Sequence, residues 1–176
     1  MIKLNARKLR TTDPTEEQLK EIKRNQIYLV LDNVLDTYNV GAIFRLADAV
    51  AAEKIFLCGE TETPPNPKIK KASVSTWKWV PWQYFADAKT AIENLKLKIE
   101  NLNVVAIEQH QKSIRFDKYE YKLPICLIVG NETYGVSKEV LEIADAIVEL
   151  PMWGVNKSLN VMVSAGIVLY KIIEKI

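Results

Sequence analysis

Reactive side chains are scarce in this chain. Its two cysteines, Cys58 and Cys126, sit inside the apolar runs IFLCG and ICLIVG without metal-ligand spacing. A disulfide framework and a zinc cluster are therefore not expected, and both thiols read as core filler in a reducing cytoplasm. The one histidine, His110, lies in no motif that marks a general base. Glycine supplies only six residues, none of them in a G-x-G-x-x-G or G-x-x-x-x-G-K loop, which disfavours a generic nucleotide-binding domain built on a phosphate cradle. Long apolar runs are missing as well. The longest, 161–173, is interrupted by Ser164, Gly166, Tyr170 and Lys171 and is too short to span a bilayer. The opening MIKLNARKLR has no apolar signal core. A soluble cytoplasmic protein with no bound metal and no membrane contact is expected.

What is present begins with charge. The net charge of +2 says little, but PKIKKASVSTWKWVPW (67–82) carries Lys68, Lys70, Lys71 and Lys78 without one acidic residue. Residues 1–24 add Lys3, Arg7, Lys8, Arg10, Lys20, Lys23 and Arg24 against Asp13, Glu16, Glu17 and Glu21. Cations interleaved with aromatics suit a phosphate backbone with stackable bases. The alternative is a solvated face over core tryptophans.

At 176 residues the chain is one domain, large enough to bury about 70% of its unfolded surface. Residues 1–26 read as a short basic extension with a helix, since Asp13, Pro14 and Glu16 resemble an N-cap, a first-turn proline and a capping-box acid. From residue 27 on, short apolar runs recur: IYLVLD (27–32), KIFLC (54–58), WKWVPW (77–82), NVVAIE (103–108), ICLIVG (125–130) and AIVEL (146–150). Helical patterns at 39–52, 86–99 and 137–144 alternate with them. Strands apolar throughout and alternating with helices predict an α/β fold, a mostly parallel sheet covered on both faces. The last segment, 161–173, is apolar on nearly every side, which predicts a helix buried all round.

Three turns at the carboxyl ends of strands, where open α/β sheets bind ligands, carry polar residues that a scaffold does not need. The first, DNVLDTYNVGAIFR, places Asn39 and Gly41 at a helix start and Arg45 six residues after Asn39. The second is GNETYG, with Gly130, Glu132 and Gly135; the third is LPMWGVNKSLNV, with Ser158 and Asn160 at the mouth of the last helix. Each has a plainer reading. Asn39 and Ser158 could simply cap helices, Arg45 could pair with Asp48, and Glu132 could face solvent beside a helix start.

Taken together and in this order, NVGAIFR, GNETYG and LPMWGVNKSLNV resemble the motifs of the SpoU/TrmH family of the SPOUT superfamily, from about residue 27 onward. The resemblance implies a deep C-terminal trefoil knot, S-adenosylmethionine as cofactor, methyl transfer to a ribose 2′-OH of tRNA or rRNA, and a homodimer. It puts Asn39, Arg45, Glu132, Ser158 and Asn160 at catalytic positions. The cofactor would rest on main-chain groups around Ile107, Gly130, Leu150 and Leu159, with Met152 nearby. Lys68, Lys70, Lys71 and Lys78 would contact RNA. The family's proposed base is the arginine, yet a guanidinium is charged at any working pH. Arg45 either takes the proton or anchors a phosphate and polarises the hydroxyl, with Asn39 orienting it.

Two departures from the family pattern stand out. The family's K-[TA]-[SA]-x-G-A pattern becomes KASVST here, without its glycine, and Met162 and Ser164 replace small residues after SLNV, a change expected to be absorbed in packing. With no room for an added RNA-binding domain, tRNA is favoured over rRNA. The rival function is a knotted RNA-binding protein that has lost turnover; the intact set of five catalytic residues argues against it.

Overall fold

The structure is a computed structural model and describes residues 2–174. Its core is one sheet of seven strands, every pair parallel, in the order β3-β2-β1-β6-β4-β7-β5. The strands are β1 (Asn25–Asp32), β2 (Ala52–Cys58), β3 (Trp82–Phe85), β4 (Asn103–Ile107), β5 (Ile114–Arg115), β6 (Ile125–Gly130) and β7 (Ala146–Glu149). β6 is buried at every residue, which is why ICLIVG lacks the alternation of a half-exposed strand. Cys58 and Cys126 are both buried in this sheet.

The helices are α1 (Ala6–Thr11), α2 (Glu16–Glu21), α3 (Thr37–Ala49), α4 (Pro67–Ser73), α5 (Ala88–Lys98), α6 (Lys138–Ile143) and α7 (Val161–Ile173). On one face of the sheet α3 and α7 pack over Leu29, Leu31, Leu127 and Val129; on the other, Val30, Cys126 and Ile128 meet Ile92 and Leu95 of α5 and Val140 of α6. α3 buries Val40, Ile43, Phe44 and Ala47, one helical stripe, and is capped by Asp36, whose Oδ1 accepts from Tyr38 N at 2.8 Å.

Several expectations need correction. WKWVPW is not a strand: Thr76–Lys78 forms a 3₁₀ turn and β3 begins only at Trp82. Three tryptophans in six residues mimic strand propensity, but the chain reaches this point through left-handed residues that no strand accommodates. The N-terminal cap is Thr15, reciprocally bonded with Gln18, while Asp13 pairs with Lys78. α1, the lysine-bearing α4 and the two-residue β5 went unforeseen.

α7 is not buried all round. It buries Ala165, Val168, Leu169 and Ile172, but Val163, Ile167 and Tyr170 are 39%, 37% and 55% exposed. Nor is Ser164 mere packing: its hydroxyl donates to the Asn160 carbonyl at 3.2 Å.

Phe44 is fully buried and fastens α3 to the sheet. Phe44→Ala should cost roughly 3–5 kcal/mol, read as a lowered urea midpoint at unchanged slope.

Candidate active site

The sheet order reverses beside β1. The chain after β1 crosses to α3 on one face, while the chain after its neighbour β6 crosses to α6 on the other. Loops that diverge in this way open a crevice at the carboxyl ends of the strands. Beside this reversal, over the carboxyl ends of β6, β4 and β7, lies a cleft of about 380 Å³, floored by Ile107, Val129 and Gly130, walled by Leu150, Met152 and Leu159, and edged by Glu132, Ser158 and Asn160.

The turn after β6 is held tightly. Asn131 and Gly135 exchange main-chain hydrogen bonds, and Asn131 Oδ1 accepts from the amides of Thr133 and Tyr134 at 2.8 and 3.0 Å. A Cβ on Gly130 would collide with Val136 N, and Gly135 has φ +72 with no room beside Glu108. Both glycines are therefore demanded by the hairpin-like return of the chain.

That turn presents Glu132 to the start of α3. Its Oε2 accepts from Leu35 N at 3.1 Å, and its Oε1 accepts from Asp36 N at 3.1 Å and from Asn39 Nδ2 at 2.9 Å. Asn39, buried, in turn accepts from Asn160 Nδ2 at 3.0 Å through its Oδ1. Asn160 caps α7, its Oδ1 accepting from Met162 N at 2.9 Å. One continuous hydrogen-bonded chain thus joins Glu132, Asn39 and Asn160, one residue from each of the three motifs. The cap of α7 is Asn160; Ser158 stands exposed before it.

Burial alone would raise the Glu132 carboxyl, but hydrogen bonds from Asn39, Leu35 and Asp36 outweigh it and hold it below the ordinary glutamate value. Glu132 is thereby held as a carboxylate whose oxygens are engaged by these donors.

Eight of the ten residues assigned to catalysis or cofactor binding line the cleft: Ile107, Gly130, Glu132, Leu150, Met152, Ser158, Leu159 and Asn160; Asn39 does not line it but bonds to Glu132 and Asn160. Arg45 is outside that set. It is exposed on α3, and among the described residues it makes no ion pair or side-chain hydrogen bond. Six helical residues set it about 9 Å along the axis and a third of a turn from Asn39, so Asn39, already shared between Glu132 and Asn160, does not orient it within one chain. Lys68, Lys70 and Lys71 are exposed on α4, while the Lys78 ammonium is held by Asp13.

Glu108 was missed. It lines the cleft and accepts from Val136 N and Gln109 N, both at 2.8 Å. Its signal in the sequence was a carboxylate at the end of the apolar run NVVAIE.

An open parallel sheet with an amphiphilic cleft over the carboxyl ends of three of its strands defines an α/β protein built to hold a ligand there. The chain belongs to the SpoU rRNA methylase family, whose model matches residues 26–170. It is 32% identical to a tRNA (guanosine(18)-2′-O)-methyltransferase of Aquifex aeolicus over 88% of this chain and 72% of that one. The corresponding enzyme of Thermus thermophilus is 28% identical over 91% and 82%. The crystal structure of the A. aeolicus TrmH/SpoU tRNA modifying enzyme superposes with a TM-score of 0.79 at 29% identity, covering 97% of this chain and 81% of that chain. An AdoMet-bound rRNA methyltransferase from Sinorhizobium meliloti gives 0.78 at 29% identity, over 94% and 59%.

The cleft fits S-adenosylmethionine, the cofactor of this family. Its volume lies in the range of small-molecule sites, its lining joins apolar Ile107, Val129, Leu150 and Leu159 to polar groups, and Glu108, Glu132 and Glu149 set a negative potential suited to a cationic donor.

Folding lowers the Glu132 pKa, so its contribution to stability is complete above the ordinary value of 4.5 and is lost as pH falls through the lower folded value. Glu132→Gln should therefore unfold at a lower urea concentration than the wild type at neutral pH, with the gap narrowing below pH 4.5. An equal gap at both pH values would mean that the carboxylate is not held by these donors.

Proposed function

We propose that this chain transfers the methyl group of S-adenosylmethionine to a ribose 2′-OH of tRNA, acting as a homodimer. The observation that carries this reading is the hydrogen-bonded chain Glu132–Asn39–Asn160, which draws the three motifs together at one cleft. When bound, the cofactor supplies an already activated methyl electrophile, so the residues of the chain have mainly to align the acceptor oxygen and ease the loss of its proton.

Glu132 fixes the entrance of α3, and Asn39 holds Asn160 at the cleft edge beside which the ribose lies. Ser158, exposed at the cleft edge, is placed to hydrogen-bond the ribose or the arginine. Main-chain groups around Ile107, Gly130, Leu150 and Leu159, with Met152 beside them, hold the donor. Arg45 anchors a phosphate and polarises the 2′-hydroxyl, a role consistent with an exposed, uncommitted guanidinium.

The tRNA preference is supported by the two relatives named for tRNA guanosine methylation and by the exposed lysines of α4. The dimer is supported by the outward face of α7, where Val163, Ile167 and Tyr170 form an apolar strip of the kind another subunit covers. The same reading includes the trefoil knot: Gln109, after β4, donates to the Lys157 carbonyl and ties that loop to the segment entering α7.

The first experiment is calorimetric titration with S-adenosylmethionine, followed by methyl transfer to purified tRNA and rRNA pools. Binding with transfer to tRNA supports the reading; transfer to rRNA alone overturns the substrate, and absence of cofactor binding overturns the enzyme. Arg45→Ala should abolish turnover with cofactor affinity nearly intact, and retained turnover would remove Arg45 from the mechanism. Replacing Lys68, Lys70 and Lys71 with alanine should weaken RNA binding. It should also make log Kobs against log salt shallower by about 0.7–0.9 for each phosphate that the variant no longer neutralises.

A further inference from the structure

A second groove, of about 360 Å³, is lined by Trp77, Trp79 and Trp82 together with Asp13, Pro14 and Leu19 of the N-terminal segment. It lies at the opposite end of the sheet from the cleft, beside the amino ends of β2 and β3. Arg24 fixes this corner by donating to the carbonyls of Ala52 and Trp79 at 3.1 and 2.6 Å.

Three observations set the groove apart. Among the described residues, the buried side-chain polar atoms without a hydrogen-bond partner are Ser75 Oγ, Trp77 Nε1 and Trp79 Nε1, all within five residues of chain. Two of these belong to tryptophans that line the groove, and Trp79 is only 4% exposed. Secondly, Val74 and Ser75 are consecutive non-glycine residues with φ 53 and 67. Residues that carry a Cβ adopt this left-handed conformation only at a cost. Thirdly, Lys78 lies 5.9 Å from the Trp77 ring centroid, and its ammonium is paired with the Asp13 carboxylate. Unmatched donors and strained backbone that fall together mark segments shaped for something other than the stability of the fold.

We propose that this groove is a second RNA contact, taking one unstacked base of the substrate against its tryptophan rings with the neighbouring phosphate on Lys78. The proposal rests on the RNA-substrate reading above. Stacking on indole is tolerant of sequence because every base offers a π-face. The indole N–H groups are donors that meet base or phosphate oxygens when segment 74–80 moves around a bound nucleotide. Asp13 holds the place of that phosphate, so the N-terminal segment is an internal occupant that RNA displaces. The exposed lysines of α4 run directly into this segment, and 67–82 has no acidic residue of its own. That charge pattern favours RNA over an apolar or proline-rich peptide as occupant.

All tryptophans other than Trp153 line the groove. Trp153→Phe protein therefore reports on the groove by indole fluorescence, while anisotropy of labelled tRNA reports total binding. Quenching that follows the anisotropy curve is expected. Trp77→Leu should weaken tRNA binding roughly tenfold, Trp77→Phe should restore most of it, and S-adenosylmethionine affinity should be unchanged in both. Asp13→Asn should tighten tRNA binding by more than Glu16→Gln, which removes the same charge outside the groove. If tRNA binds with indole emission unchanged and Trp77→Leu and Asp13→Asn behave as wild type, the groove is not a contact, although the RNA reading stands. If tRNA does not bind at all, the RNA reading falls and the groove proposal falls with it. Quenching by a proline-rich peptide but not by tRNA would likewise overturn it.

Discussion

The cleft depends on one carboxylate. Glu132 sits on a turn after β6 and is gripped by two main-chain amides ahead of α3 and by the Asn39 side chain. A carboxylate that gives up part of its water needs donors in its place, and three donors here supply them. The arrangement serves both partners: the amides before α3 lie outside its intrahelical ladder and need acceptors. Through Asn39 the effect reaches Asn160 and the first turn of α7. Removing the charge would loosen two helices that do not touch Glu132 through apolar surface at all.

The fold was largely legible because the central runs, β6 above all, are apolar over consecutive positions, as a sheet covered on both faces requires. Where reading failed, local chemistry resembled something else. WKWVPW has the aromatic density of a strand, but Val74 and Ser75 turn the chain ahead of it. The run 161–173 is apolar on nearly every side, but sequence does not say how much of it the rest of the chain covers; Tyr170, 55% exposed, lies on the part left open. Asp13 and Pro14 looked like a helix start, yet a lysine 65 positions later claims the aspartate.

The site was legible as three separate turns, and their residues meet as the spacing alone could not reveal. Glu108 stayed hidden because a carboxylate at the end of an apolar run looks like the strand's exit into solvent, whereas it holds Val136 N and packs beside Gly135. Arg45 shows the opposite case. Motif spacing grouped it with Asn39, but six helical residues set the two about 9 Å apart along the axis and a third of a turn round it, and Arg45 is not among the residues lining the cleft.

The hydrogen bonds that assemble the cleft join residues very far apart in the chain: 93 positions separate Asn39 from Glu132, and 121 separate Asn39 from Asn160. The central pairing of the sheet has the same reach, since Ile27 of β1 lies beside Ile125 of β6. Contacts of such span are closed against loop entropy. Sheet and cleft therefore share one long-range topology, and an intact cleft is itself a report that the distant ends of the chain have met.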